Sequence, residues 1–205
     1  VQVSCLELGP PAPVLDREEV PLLRRRAATH AGFADRSEEL RAQGWLTEDE
    51  QAALVAHQLA LAISTPRLAE TCLFSATDVP DDPQHTGLVG MRLGLYRPRP
   101  ALEVFLLLQR LLNELDAVEL VPPAENNGVA ELRIRRADGL EARMLWSEAL
   151  PGEERAPERH IVLAPLVVAF LADGTLLHPP QRDMAALRLP GSTTSQCGGL
   201  PVVVM

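Results

Sequence analysis

Ala69-Glu70-Thr71-Cys72-Leu73-Phe74-Ser75 is a short, largely apolar run set between two stretches of helical period. Its length and its flanks suit a buried strand. Ahead of it, Thr47 and Glu50 stand at capping-box spacing, with Glu48 and Asp49 favourable in a first helical turn. Leu54, Val55, Gln58, Leu59, Ala62 and Ile63 then recur at helical intervals until Thr65-Pro66 ends the run. Behind it, Pro100 suits the first turn of a second helix. That helix, expected over Ala101 to Leu115, carries Val104, Phe105, Leu107, Leu108, Leu111 and Leu112, an apolar face wide enough to need cover on several sides. Further out, Val1 to Leu8 alternates and stops at Gly9-Pro10-Pro11. Strand, helix, strand, helix predicts a parallel sheet with crossover helices, in which strands 1–8 and 69–75 lie side by side. Between these elements, residues 12–46 are irregular and charged, with short helices expected around Leu22 to His30 and Ser37 to Gln43. Thr77 to Arg99 reads as a polar loop holding Asp78, Asp81, Asp82 and His85.

After Asp116 the helical period disappears. Ala130 to Arg136 alternates, Ala137-Asp138-Gly139 supplies a turn, and Leu140 to Trp146 alternates back. A second hairpin is expected from Leu166 through Ala172-Asp173-Gly174-Thr175 to Leu177, with further strands at Ala185 to Leu189 and Pro201 to Met205. The fold class is therefore α/β plus all-β. Residues 1–115 form the α/β part, and residues 116–205 form an antiparallel β-sandwich packed against the last helix.

Composition narrows the function. The chain has 205 residues, with 19 basic against 28 acidic side chains, a formal charge of −9, and 46% apolar residues, enough for a substantial core. An acidic chain with no basic cluster longer than Arg24-Arg25-Arg26 argues against a nucleic-acid partner. No apolar run approaches the roughly 20 residues of a membrane span, so no membrane partner is expected. Every basic residue is Arg and none is Lys, which reads as a GC-rich coding bias. Cys5, Cys72 and Cys197 have neither metal-ligand spacing nor the even count of a disulfide framework, and read as buried apolar side chains. No metal and no cofactor is expected. The chain opens directly on a strand, with no Met and no charged leader, so a portion removed upstream is expected.

In parallel α/β architectures the polar groups at the C-terminal ends of strands gather at one face and carry the chemistry. Two such ends occur here. Glu7 leaves an apolar strand just before a breaker, where a carboxylate is partly desolvated and needs a partner. Taken as a residue alone, it is either a structural carboxylate or a catalytic one. The second end is Phe74 to Asp78; an aspartate there either caps a turn or binds a ligand.

Taken in order, these segments resemble a known family. A strand ending in Glu7-Leu8-Gly9 is followed by a Thr47-Glu48-Asp49-Glu50-Gln51-Ala52-Ala53-Leu54-Val55 helix and a strand closing on Phe74-Ser75-Ala76-Thr77-Asp78. Thr86-Gly87-Leu88 and Arg97-Pro98-Arg99-Pro100-Ala101 then open a helix, and Arg135-Arg136-Ala137-Asp138-Gly139 runs on to Leu145-Trp146-Ser147. The series resembles the last two strand–helix units and the C-terminal β-sandwich of retaining (β/α)8-barrel glycoside hydrolases. In those proteins strand seven often ends in Thr-Glu-x-Gly. Strand eight ends in an aromatic pair followed by Asp, and a Lys-Pro-Ala sequence opens the last helix.

The resemblance implies that residues 1–115 are strands seven and eight of a partial barrel with their helices. It implies a carbohydrate substrate, Glu7 as the nucleophile, and Phe74 and Asp78 lining the sugar. Retaining chemistry needs a second carboxyl about 5 Å away as acid/base. In the family that group ends strand four, which this chain does not contain. The missing strands would come from an upstream segment or another chain, and this chain alone would be inactive. The sequence departs from the family pattern at Leu6, where Thr is common, and at Leu73, where a sugar-stacking Trp is frequent. Phe74 is then the aromatic at a strand end, with Tyr96 and Trp45 available from loops. A different class of reading is a non-catalytic module, in which the β-sandwich binds a partner or glycan and the α/β segment is structural. His85 lies too far along its loop to be placed.

Overall fold

The computed structural model describes residues 6–8, 14–15, 36–65, 71–73, 76–78, 86–92, 95–165, 167–172, 175–178, 185–192 and 198–205. Strand β1, Leu6–Leu8, pairs in parallel with β4, Thr71–Leu73, in the register Leu6 with Thr71, Glu7 with Cys72 and Leu8 with Leu73. Two residues of β2, Val14–Leu15, pair in parallel with β3, Leu46–Thr47. Helix α1, Arg36–Ala42, precedes β3, and helix α2, Glu48–Ser64, crosses from β3 toward β4. The parallel order expected for strands 1–8 and 69–75 is thus present between Leu6–Leu8 and Thr71–Leu73. The helix expected around Leu22 to His30 lies outside the described residues.

The start of α2 is fixed as its sequence requires. Thr47 Oγ1 accepts from the Glu50 N–H at 3.2 Å, and the Thr47 N–H donates to Glu50 Oε2 at 2.7 Å. Arg41 grips both oxygens of the same carboxylate, with Nη2 to Oε1 at 2.6 Å, which ties α1 to α2. At the far end, Thr65 Oγ1 donates to the Leu61 carbonyl at 2.7 Å, just before Pro66 stops the helix.

The 77–99 segment corrects the sequence reading. In place of a polar loop it contains a hairpin, β5 (Val89–Arg92) with β6 (Leu95–Pro98), paired antiparallel with Val89 opposite Pro98. Its strands alternate poorly, because Leu95 and Tyr96 are both exposed on adjacent positions that point to opposite faces. Helix α3, Pro100–Leu112, follows with proline in its first turn. It ends three residues earlier than its apolar pattern predicts, where Glu114 takes φ 57 and turns the chain into a strand.

That strand, β7 (Leu115–Val121), opens a six-stranded antiparallel sheet with β8 (Val129–Arg136), β9 (Glu141–Ser147), β11 (Ala169–Leu171), β12 (Leu176–His178) and β14 (Val202–Val204). The spatial order is β12-β11-β14-β9-β8-β7. β10 (Arg159–Leu163) and β13 (Ala185–Leu189) form a separate antiparallel ribbon. Both β7 and β10 escape the sequence reading. β7 is an edge strand with no fully buried residue, and its apolar side, Val118 and Leu120, is only half-buried against the helical core. β10 has only Leu163 fully buried.

The sheet is apolar on both sides. Leu132, Ile134, Ala142, Met144, Trp146 and Val203 pack against Val55, Ala56 and Leu59 of α2 and Val104, Leu108 and Leu111 of α3. On the opposite face Val129, Leu145, Val202 and Val204 pack with Leu163 and Leu189 of the ribbon. Period-two alternation divides β14 cleanly, Val203 to one core and Val202 and Val204 to the other. The helices therefore take the place that a full second sheet would have in a sandwich, and one core joins residues from both sides of position 116.

Candidate functional site

Parallel pairing makes the C-terminal ends of β1 and β4 point the same way. Glu7 sits opposite Cys72 in that pair, one residue short of the end of β1. Phe74 lies outside the described residues. Three to five residues beyond β4, the chain at 76–78 is tied to the hairpin. The Val89 N–H donates to the Ala76 carbonyl at 3.0 Å, and the Asp78 N–H donates to the Val89 carbonyl at 2.9 Å.

Asp78 is the best-defined of the expected site residues. Its carboxylate is buried, 4% exposed, and accepts a two-pronged pair from Arg99, Nη1 to Oδ1 and Nη2 to Oδ2, each at 2.8 Å. The Gly87 N–H adds a third bond to Oδ1 at 2.9 Å. Arg99, just ahead of α3, is itself buried and also donates to the Gly87 carbonyl at 2.6 Å. On the α2 side, Glu48 Oε1 lies 3.7 Å from Arg99 Nε and accepts from Arg97. Gln51, one turn along, donates to the carbonyls of Thr86 and Gly87 at 2.9 and 3.1 Å. Glycine is required at 87, since a Cβ there would stand 2.3 Å from the Asp78 nitrogen. At position 90 a Cβ would press on the Arg99 guanidinium at 3.2 Å.

These contacts join the segment after β4, the hairpin and the first turns of α2 and α3 into one buried charged cluster. A carboxylate so fully engaged acts through what it holds. It ties residues 76–78 to Gly87 ahead of the hairpin and to Arg99 at the start of α3. The sequence displayed the Arg97-Pro98-Arg99-Pro100 segment and the acidic first turn of α2, but not that they meet. Glu48 reads there as complementing the helix dipole, whereas it also holds two arginines. Among the described residues no three His, Cys, Asp or Glu side chains are placed to hold a metal ion, and no helix is long and apolar enough to cross a membrane.

A second polar contact joins α2 to the sheet. The His57 ring stacks on Trp146, centroids 4.8 Å apart and planes 20° from parallel. Its Nε2 lies 3.1 Å from the Gly199 carbonyl, so the neutral ring donates there. Trp146 Nε1 donates to Glu148 at 2.8 Å. Burial drives the His57 pKa down to about 4 against the opposing bond to Gly199. The native ring thus stays neutral down to about pH 4, while the unfolded chain takes up a proton near 6.5. Stability from this site is complete above pH 6.5 and falls as the pH drops toward 4, by about 3 kcal/mol. Urea titrations at pH 7, 5.5 and 4 check this. His57→Phe keeps the stacked ring without the titration and is expected to lose that part of the pH dependence.

No family model and no curated protein matches this sequence. Among solved structures, the chain is similar to a family 39 glycoside hydrolase from the gut symbiont Bacteroides cellulosilyticus WH2. The two are 17% identical, with a TM-score of 0.52, and the similarity covers 77% of this chain and 30% of that one. The mixed architecture, with its parallel strand pair, flanking helices and antiparallel sheet, is a glycoside hydrolase-like fold.

Proposed function

We propose that this chain is the C-terminal part of a retaining (β/α)8-barrel glycoside hydrolase, with β1 and β4 as strands seven and eight. The observation that carries the reading is the in-register parallel β1–β4 pair, with α2 between its strands in sequence and the antiparallel sheet behind. In this reading Glu7 and the chain following β4 stand at one end of the strands, the end at which barrel enzymes place their chemistry. The likeness in fold to a family 39 glycoside hydrolase supports it.

In this reading Glu7 attacks the anomeric carbon and the leaving oxygen departs with a proton from a second carboxyl about 5 Å away. Water then releases the sugar from the glycosyl-enzyme, with the second carboxyl acting as base. Phe74 packs on an apolar face of the sugar. Asp78 shapes the same face from beneath by holding Arg99 and the hairpin. The acid/base carboxyl and the remaining strands come from an upstream segment or another chain, and they would join at the edges of the β1–β4 pair, which among the described residues carry no further strand.

A single carboxylate cannot both attack and protonate, and general acid/base help alone is worth ~10²–10⁴-fold. Residues 1–205 by themselves are therefore expected to hydrolyse an activated aryl glycoside no faster than buffer does. Turnover above that rate, abolished by Glu7→Ala, would show that the chain needs no further strands and would overturn this division of labour.

A further inference from the structure

The face of the sheet turned away from the helices has a charged region beyond the cover of the β10–β13 ribbon. Along β8, Glu131, Arg133 and Arg135 share that face, while Leu132 and Ile134 point into the helical core. The register sets Arg133 directly opposite Arg143 of β9, and Arg135 opposite Glu141. Two like charges facing each other across a strand pair are destabilising unless something holds them. Glu131 does so. Its side chain is 2% exposed and accepts from Arg133 Nε at 3.1 Å and from Arg143 Nε. Burial alone would raise the Glu131 pKa, but its bonds and charge interactions with Arg143 and Arg133 outweigh burial and hold it below the usual carboxylate range. It remains an anion, and the two arginines remain in place.

This arrangement leaves donors in use on one side only. Arg143 is engaged through Nε alone, and Arg135 through Nε alone, to Asp116 Oδ2 at 2.7 Å. Among the described residues the Nη groups of both have no hydrogen-bond partner, and both side chains are about half exposed, 50% and 58%. They are diagonal neighbours on adjacent strands, on the order of 7–8 Å apart at Cβ. A groove of about 520 Å³ lies beside them, where Ala117 of β7 offers only a small side chain.

We propose that this groove is an oxyanion-binding site, in which Arg135 and Arg143 bracket one carboxylate, sulfate or phosphate group with their free Nη edges. A guanidinium fork matches two oxygens of such a group at once, which no neutral hydroxyl does. The exposed carboxylates of Glu119 and Glu141 flank the groove and limit it to a single compact anion. A polyanion would be repelled by them and by the net charge of −9. The inference stands apart from the glycosidase reading, because it uses only the sheet.

The test is calorimetric titration of the 205-residue chain with sodium sulfate, at ionic strength held constant with chloride. Saturable binding is expected, weakened at least tenfold in the Arg135→Gln/Arg143→Gln double variant and unchanged in Arg188→Gln, which lies on the ribbon. Lysine at both positions keeps the charge without the fork and is expected to bind several-fold more weakly than the native protein. Lysine variants also guard against loss of folding in the glutamine pair. A parallel titration with galactose 6-sulfate separates two sources of the group. Tighter binding than sulfate means that a sugar fills the rest of the groove, and equal binding means that the free oxyanion is the ligand. No saturable sulfate binding, or equal binding by native and double-glutamine proteins, overturns the proposal.

Discussion

Asp78→Ala is expected to lower the unfolding free energy by about 3–5 kcal/mol. The reason is the fate of Arg99 more than the loss of Asp78. With its partner gone, a buried guanidinium keeps its bond to the Gly87 carbonyl and its distant attraction to Glu48, but loses both oxygens at 2.8 Å. The Gly87 N–H loses its acceptor in the same step. Urea denaturation read by circular dichroism measures the difference. Asp78→Leu combined with Arg99→Met removes both charges and is expected to recover most of the loss, since a buried pair replaced by apolar groups of similar size is often neutral. By contrast, breaking the exposed Arg133–Glu119 pair through Glu119→Ala is expected to cost less than about 1 kcal/mol. A loss below that same limit for Asp78→Ala would mean that the cluster does not fix the segment after β4.

Much of this architecture is legible in the sequence. Thr47 and Glu50 announced the start of α2, and the turns around Asp138 and Asp173 announced the β8–β9 and β11–β12 hairpins. In each case one short segment carries its own signal, a cap, a period or a turn, that does not depend on distant residues. The elements missed share the opposite property. β7 lies at the sheet edge with its apolar residues, Val118 and Leu120, only half-buried, and β6 of the β5–β6 hairpin is exposed on both faces at Leu95 and Tyr96. The antiparallel half is a six-stranded sheet with helices on one face and the two-stranded β10–β13 ribbon on the other. Alternation reports that both faces of β14 are buried, but not whether a helix or a strand covers them.

For the site, Glu7 and Asp78 were legible as candidates because each stands toward the end of an apolar strand. Their surroundings were not, because Asp78 meets Arg99, 21 residues on, and Glu48 meets Arg97, 49 residues on. Nothing local in the sequence pairs them. The Arg135–Arg143 diagonal was hidden for a related reason. It depends on the β8–β9 register, which the alternating pattern suggests but does not fix to the residue.

The second large effect concerns catalysis. In a protein carrying this chain together with the remaining barrel strands, Glu7→Gln is expected to lower kcat by at least ~10⁴-fold, as removal of a covalent nucleophile generally does. The loss should fall on kcat rather than on KM, because the amide keeps the size of the carboxylate and removes only the attacking charge. The same protein offers the most direct measurement of the central claim. It is incubated with a fluorinated glycosyl donor that traps the glycosyl-enzyme, digested, and the labelled peptide is mapped by mass spectrometry. The account predicts the sugar on Glu7. A label on any other carboxylate, or full activity in Glu7→Gln, would contradict it.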